Sequence, residues 1–490
     1  MSIARHTVYN IVGSLLPAAI SLVTVPFYLR AVGLERYGIL AICWVLLGYF
    51  GLFELGLGPA TAQKIASLRS ASPEERSRLL WGAIFLCLAV GTAGGAILWL
   101  AGFPLLSSLR GVGGALEAEV GRAVPFLALS LPASTLFGVL TGALQGRERF
   151  LALNAVNALS NGLMSIMPLI VALVWSPTLP WLVAAVLGSR LVAVGLAALL
   201  CLGAVPLRPP VFPSRNLTNE LFRFGRWVTG FAILVPVLSS LEKFLVGYLV
   251  GAAATSIYMV PFNLVSRLVA VPMGLASALY PRFAVGTKRN IDQLALQAVA
   301  SLCALMTIVA VFLMCVMRPF FDLWIGASLG RQAAPIAYVI IAGFWFNGFS
   351  HVAHAKLMGS GRPDLPAKIS LSQLLPYSIA AYFSVRLWGI EGAAFAWSGR
   401  QVVDMTAFFT LTGQLKPFAR TIAFPALVVV GTMFAALLLP AYSAAGWISL
   451  GALLLLAAVA ALRVMPQQSL HTLRQEAVRI IALGAPQRQR

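Results

Sequence analysis

The stretch Tyr37–Lys64 reads YGILAICWVLLGYFGLFELGLGPATAQK. It is apolar for long enough to cross a bilayer as a helix, which takes about twenty residues. Glu54 lies inside it, and a carboxylate at membrane depth is costly unless it faces a polar cavity or a charged partner. The surrounding glycines and Pro59 let neighbouring helices approach and loosen the backbone. A polar group on a deformable membrane helix is typical of a transporter, so Glu54 is a candidate functional residue.

The composition predicts an all-α polytopic membrane protein. The 490-residue chain is 60% hydrophobic and 10% charged, whereas a soluble domain carries about 25% charged residues. The net charge of +20 could suit nucleic acid, but the basic residues lie in short connections between hydrophobic segments. Such residues orient a membrane protein, so nucleic acid is not expected as a partner. The five cysteines lie in apolar segments at no ligand spacing, which favours neither disulfides nor a metal centre.

The hydrophobic pattern predicts about fourteen transmembrane helices. Alternating connections place 24 Lys and Arg residues on one side of the membrane and 7 on the other. Because the side richer in Lys and Arg is cytoplasmic, we expect both termini in the cytoplasm. The predicted segments are 8–32, 37–64, 80–103, 122–144, 151–175, 181–204, 227–249, 255–281, 294–317, 333–357, 368–387, 391–413, 421–440 and 446–463.

The two halves of the chain resemble each other. VLGSRLVAV (Val186–Val194) matches AWSGRQVVD (Ala396–Asp404), which aligns Arg190 with Arg400. Six segments per half is an even number, so the halves share one orientation and a pseudo-two-fold axis along the membrane normal. The predicted parts are an N-terminal six-helix lobe (1–204), a cytoplasmic linker (205–226), a C-terminal six-helix lobe (227–420), two extra transmembrane helices (421–463) and a cytoplasmic tail (464–490).

Four basic residues lie well inside the hydrophobic segments, away from the segment ends: Arg190, Lys243, Arg267 and Arg400. Arginine stays charged and binds phosphate through two parallel hydrogen bonds, so these residues predict a cationic cavity for an anionic head group. The alternative is that each forms a structural ion pair. Arg400 and Asp404 are four residues apart and could pair on one helix.

Three acidic residues, Glu54, Glu242 and Asp404, are candidates for coupling to H⁺ or Na⁺, or for structural charge pairs. Glu242 and Lys243 are adjacent and point about 100° apart on a helix, so we do not expect them to pair with each other.

Other polar groups give weaker signals. Asn154 and Asn157 share one face of their segment and could contact a glycan, although hydrogen bonding between helices is the more common role. His351 and His354 lie three residues apart without a third ligand, so no metal is expected. There is no phosphate-cradling loop, and no connection carries paired carboxylates. We therefore expect neither an enzyme nor a bound cofactor.

The stretch Tyr9–Ala66 is similar to the opening of the polysaccharide transporter family, the Wzx-type oligosaccharide flippases of the MOP superfamily. Leu241–Gly251 with Tyr258, and Pro319–Gly326, resemble the second half of that family. The family often has Asp where this chain has Glu54. The resemblance implies a V-shaped pair of six-helix bundles with two extra helices. It also implies flipping of undecaprenyl-diphosphate-linked oligosaccharide between the leaflets of a bacterial inner membrane.

These observations together predict a flippase for lipid-linked oligosaccharide that works by alternating access. Arg190, Arg400, Arg267 and Lys243 would hold the diphosphate and acidic sugars. The expected partners are the lipid-linked glycan, membrane lipids and the polysaccharide polymerase machinery. A lipid II-type flippase and a MATE-like exporter of organic cations are alternatives within the same class. A membrane-integral polysaccharide polymerase or ligase is the alternative of a different class, but its catalytic groups would need a longer loop than this chain offers.

Overall fold

The computed structural model describes residues 3–53, 56–68, 72–204, 238–362, 364–439 and 442–465. Within these ranges the chain forms helices and turns and no strand. The helices in chain order are α1 (Ile3–Phe53), α2 (Leu57–Ser67), α3 (Pro73–Ser107), α4 (Ala115–Gly146), α5 (Phe150–Val174), α6 (Leu179–Ala204), α7 (238–249), α8 (Ala252–Val265), α9 (Ala270–Val285), α10 (Lys288–Trp324), α11 (Ala327–Gly359), α12 (Asp364–Leu411), α13 (Leu415–Leu438) and α14 (Ala444–Val464).

The helices are those of a membrane protein. Nine stretches of the described helices are long and apolar enough to cross a bilayer, and each of the fourteen predicted segments contains helix. Large apolar side chains remain exposed along them, including Leu100 at 75% and Leu427 at 72%. Exposed apolar surface of this kind is what a bilayer covers. The prediction of an all-α polytopic membrane protein is confirmed.

Two of the expected connections are single-glycine turns inside long helices. The α1 helix bends at Gly33 (φ +78°, ψ 169°) and α12 bends at Gly389 (φ +60°, ψ −133°). Both φ values lie in a region that residues with a Cβ avoid and glycine adopts readily. As a result α12 contains the whole of the predicted segment 368–387 and most of 391–413, joined directly to each other.

The stretch Tyr37–Lys64 is not one continuous helix, which corrects its prediction. The α1 helix ends at Phe53 and α2 begins at Leu57. The residue before α2, Gly56, has a left-handed backbone (φ +67°, ψ 17°), which interrupts the helix. The glycines that predicted a deformable helix thus break it. Glu54 lies outside the described residues.

The predicted segment 255–281 is helical throughout, but it is not α-helical throughout. The α8 helix is followed by a short 3₁₀ turn, Ser266–Val269, and then by α9. Pro272 in α9 has no backbone N–H to donate to the carbonyl of Leu268, which weakens the α-helical ladder at this turn. Turns of this kind inside an apolar helix often mark functional positions, and Arg267 lies in this one.

The chain divides into two compact units, each with its own packed interior. Unit 1 is Met1–Val260 with Ala381–Ala393, and unit 2 is Pro261–Ala380 with Ala394–Arg490. The core of unit 1 lies between α2, α3, α4 and α6. In unit 2, α10 packs on α11, where the buried Trp345 donates its indole N–H to Thr307 Oγ1 at 3.1 Å. The linker 205–226 lies outside the described residues, so the predicted lobe boundaries stay a prediction.

Candidate functional site

Arg190 lies in unit 1, where it joins three helices. From α6 its Nη1 donates to Ser160 Oγ of α5 at 3.1 Å. Its guanidinium lies 5.0 Å from the ring centroid of Phe137 on α4. The side chain is half-buried. A guanidinium over an aromatic face is a stable arrangement for a cation in apolar surroundings.

Arg400 lies in unit 2 and is charge-paired. Its Nε is 3.6 Å from Asp404 Oδ2 on the same helix. The same atom donates to Gln373 Oε1 at 3.3 Å, and the guanidinium lies 5.1 Å from the ring centroid of Tyr377. The side chains of Arg400 and Asp404 are only 9% and 13% exposed. The structure therefore has the structural pair that the sequence left open as an alternative.

The surroundings of Arg190 and Arg400 are similar in pattern. Arg190 donates a hydrogen bond to Ser160, which lies 30 residues earlier in the chain. Arg400 donates one to Gln373, which lies 27 residues earlier. Each also lies over an aromatic ring. They differ in that Arg400 has a carboxylate beside it. Both arginines hold neighbouring helical segments together within their own unit, and this role is compatible with a further contact to an anion.

Glu242 and Lys243 form a pair, contrary to the prediction. Lys243 Nζ lies 3.1 Å from Glu242 Oε1 and also donates to Ser239 O at 2.6 Å. Glu242 is fully buried and Lys243 is 5% exposed. The prediction considered only the 100° between neighbouring Cβ directions. The long lysine side chain bends across that angle because a buried charge without a partner is far costlier than a bent rotamer.

Arg267 differs from the other three cations. Its side chain is exposed, and it lies in the 3₁₀ turn between α8 and α9. Among the residues that the structure describes, Arg267 has no hydrogen-bond or ion-pair partner. Its charge is therefore available to a ligand.

The remaining predicted residues lie on packed helices. Asn154 and Asn157 are half-buried on α5. His351 Nε2 lies 3.2 Å from Asn347 Oδ1, and the ring of His354 lies edge-on to Phe408. No group of three metal-type ligands occurs in the described ranges.

One charged cluster was missed by the sequence reasoning. Arg36, at the start of the second half of α1, donates from Nε and Nη2 to the carboxylate of Glu119 on α4, at 2.9 and 2.7 Å. The backbone N–H of Leu179, the first residue of α6, donates to Glu119 Oε2 at 3.0 Å. Glu119 thus accepts a hydrogen bond from a first-turn N–H that has no partner within α6. Its negative charge also compensates the positive end of the α6 dipole. A sequence separation of 83 residues hides this contact from local patterns.

A second missed cluster lies in unit 2. Lys356 on α11 donates to Asp292 Oδ1 of α10 at 2.6 Å and to Gln414 Oε1 at 2.8 Å. Gln414 precedes α13 and donates from Nε2 to Asp292 O at 2.9 Å. Lys356 is only 7% exposed. It joins the ends of three helices.

A third cluster connects α10 to the turn before α14. Arg318 Nε donates to both oxygens of Asp322, at 3.0 and 2.9 Å. The Tyr442 hydroxyl donates to Asp322 Oδ2 at 2.7 Å. This hydrogen bond, together with burial and the carboxylate charge, raises the pKa of the Tyr442 phenol. Arg318 is therefore charge-paired at the end of α10.

Comparison with known proteins agrees with the fold and with the sequence resemblance. The family model for polysaccharide biosynthesis proteins matches residues 3–286, more than half of the chain. A Shigella flexneri protein named "Putative O-antigen transporter" is 25% identical over 409 residues, which cover 82% of this chain and 96% of that protein. The resemblance predicted from Tyr9–Ala66 is confirmed by these matches.

Two solved structures share the fold. The lipid II flippase MurJ, in an inward closed conformation, has a TM-score of 0.72 at 12% identity, over 94% of this chain and 98% of that one. An inward-facing multidrug resistance MATE family transporter of the MOP superfamily has a TM-score of 0.67 at 15% identity, over 84% and 99% of the two chains. At such identities the likeness shows a common fold and leaves the substrate open.

Proposed function

The chain belongs to the family of polysaccharide biosynthesis proteins, and on this premise we propose that it flips undecaprenyl-diphosphate-linked oligosaccharide repeat units across the bacterial inner membrane. It does so without catalysing a covalent reaction. The relative that is named for O-antigen transport, and the fold shared with a lipid II flippase, support this function.

The position and surroundings of Arg267 are the observation that carries the proposal. Arg267 is exposed, it has no partner in the described part of unit 2, and it lies in a 3₁₀ turn inside an apolar helix. Guanidinium binds phosphate oxygens through two parallel hydrogen bonds. A 3₁₀ turn inside a helix often marks a hinge, where the backbone around a bound group can change conformation. Arg267 therefore contacts the diphosphate of the substrate as it enters the membrane interior.

The other predicted residues have supporting roles in this proposal. Arg190 and Arg400 add positive potential from their packed positions, and Lys243 adds its charge only when its pair with Glu242 opens. Asp404 remains a candidate acid for coupling to H⁺ or Na⁺, since its partner Arg400 lies 3.6 Å away and can compensate a change of charge.

The proposed setting follows from the same function. Both termini lie in the cytoplasm, Asn154 on α5 contacts the glycan, and the polymerase machinery receives the flipped unit. A lipid II-type substrate is the second candidate, because its head group also carries a diphosphate and the fold of a lipid II flippase is shared.

The test uses a strain that lacks its own flippase and makes no surface polysaccharide. It is complemented with the wild-type chain, Arg267→Ala, Arg267→Lys or the control Arg282→Ala, at matched membrane levels. Arg282 is an exposed cation in the last turn of α9, one residue beyond the end of the predicted segment 255–281. Losing a charge-assisted hydrogen bond of about 1.5–3 kcal/mol predicts a loss of roughly 10- to 100-fold in flipping for Arg267→Ala. Arg267→Lys keeps the charge and recovers part of the output.

Two results would overturn the proposal. If the wild-type chain restores no polymer, lipid-linked oligosaccharide is not the substrate, and rescue of a strain depleted of its lipid II flippase then identifies the second candidate. If Arg267→Ala and Arg282→Ala behave alike, the function is kept but Arg267 is not its phosphate contact.

A further inference from the structure

A groove between α3 and α4 of unit 1 is unoccupied by any part of the described chain. It has a volume of about 340 Å³, within the range of small-molecule sites. Its lining is almost entirely apolar, and only the Thr92 hydroxyl and the Trp99 indole are side-chain groups that can form hydrogen bonds. The groove is lined by Thr92, Gly95, Ala96, Trp99, Pro125, Ala128, Leu129 and Pro132.

The groove follows from small residues on two closely packed helices. A Cβ at Gly95 would lie 2.7 Å from the carbonyl oxygen of Ala128, so only glycine permits this approach. Gly102 and Val124 make a similar contact further along. The missing side-chain volume leaves a channel on the outer face, where Ala96 and Leu129 are exposed.

A cation, Arg122, lies on the same face of α4 as the groove-lining residues, one turn before Pro125. Arg122 precedes Pro125, Leu129 and Pro132 on α4, and these residues repeat at the three- and four-residue spacing of one helix face. Arg122 is exposed, and its Nε donates to Ala118 O at 3.3 Å, so the side chain runs toward the start of α4. It forms no ion pair with any described residue.

The dimensions match one leaflet. Arg122 and Pro132 are ten residues apart, which is about 15 Å along a helix. The hydrocarbon core of a bilayer is about 30 Å thick. An arginine that lies at the interface therefore has an apolar channel below it that reaches the middle of the membrane.

We propose that this groove binds one acyl chain of an anionic phospholipid, with the lipid phosphate on the guanidinium of Arg122. The lipid belongs to the leaflet that contains the connection between α3 and α4. The apolar lining suits the chain, the free cation suits the phosphate, and the depth suits a single leaflet. The site is separate from Arg267 and does not depend on which substrate is flipped.

The experiment measures lipid retention by native mass spectrometry of the purified protein after exchange through vesicles of phosphatidylcholine with phosphatidylglycerol. The wild-type protein is expected to retain one phosphatidylglycerol. Arg122→Ala is expected to lower that retention about fivefold, the effect of one basic residue near an anionic lipid surface. Ala96→Phe fills the groove and is expected to abolish retention.

Two controls match these variants. Ala93→Phe adds the same ring to an exposed position on α3 that does not line the groove. Arg331→Ala removes an exposed cation from α11. Both should retain the lipid like the wild-type protein. If Ala96→Phe fails to fold, Thr92→Leu narrows the same groove from a second exposed position.

Three outcomes would overturn the proposal: no phosphatidylglycerol on the wild-type protein, equal retention by Ala96→Phe and Ala93→Phe, or preferred retention of undecaprenyl phosphate in a parallel exchange. The last result would make the groove a site for the isoprenoid tail. The polymer output of Arg267→Ala reports on the proposed function separately, so the two ideas fail independently.

Discussion

Replacing Glu119 tests how much the contact between α1, α4 and α6 stabilises unit 1. In Glu119→Gln the amide oxygen can take the Oε2 position, where it still accepts from Arg36 Nε and from the Leu179 N–H. The charge and the bond from Arg36 Nη2 are lost. A charge-assisted hydrogen bond contributes about 1.5–3 kcal/mol. Because the Arg36 side chain is 34% exposed, screening by water reduces the expected cost to about 1–2 kcal/mol.

Glu119→Ala removes all three hydrogen bonds. Leu179 is fully buried, so its backbone N–H then has no acceptor at the start of α6. An unsatisfied buried donor costs about 1–3 kcal/mol, and the expected loss for this variant is about 3–5 kcal/mol. The difference between the two variants, about 2 kcal/mol, reports on the bond to Leu179.

The assay is unfolding of the purified protein by SDS in mixed micelles, followed by tryptophan fluorescence. Glu117→Ala is the control, because Glu117 is an exposed acid in the first turn of the same helix. It should change the free energy of unfolding by less than about 0.5 kcal/mol. Equal destabilisation by Glu119→Gln and Glu119→Ala would refute the role of the Leu179 bond, and no destabilisation by either would refute the whole argument.

The same titration tests two other features. Gly33→Ala should destabilise by about 1–3 kcal/mol because of its positive φ, while Gly48→Ala, where a Cβ also meets no atom within 4 Å, should be neutral or stabilise by up to about 1 kcal/mol; similar values at both positions would contradict the backbone argument. Lys356→Met should lower the free energy of unfolding by about 2–3 kcal/mol. This is less than for a fully buried ion pair, because the partner Asp292 is 33% exposed and water screens the interaction. Combining it with Asp292→Asn should cost less than the sum of the single changes, and strict additivity would show that the two do not interact.

The sequence could predict the all-helical membrane fold and the approximate places of its apolar helices because the bilayer imposes a simple rule. A segment that crosses must be apolar and long, so hydropathy alone finds it. The breaks were harder to predict. Glycines around Glu54 indicated a deformable helix, but only the backbone shows that Gly56 ends it. The 3₁₀ turn that contains Arg267 was not predicted, although Pro272 shortly after it is a residue that disturbs an α-helix.

The partners of the charged residues could be predicted only where they are close in sequence. Arg400 and Asp404 are four residues apart, and their pairing was an open alternative. Lys243 and Glu242 were not expected to pair, because neighbouring Cβ atoms on a helix point about 100° apart. The lysine side chain is long enough to span that angle, and the two groups form an ion pair. Arg36 and Glu119 meet across 83 residues, which no local pattern reveals. Such contacts depend on how the helices pack against one another, and helix packing cannot be derived from a single sequence.

The single-glycine turn at Gly33 also fixes the rotational phase between the two halves of α1. Tyr28 before the turn and Tyr37 after it have ring centroids 5.8 Å apart. A longer loop could accommodate an added residue by changing its conformation, but a turn of a single residue cannot. An insertion between Gly33 and Tyr37 would rotate the following helix by about 100°, carrying Tyr37 away from Tyr28 and Arg36 away from Glu119. Changes of length in this connection are therefore compatible with folding only when a whole helical turn is gained or lost.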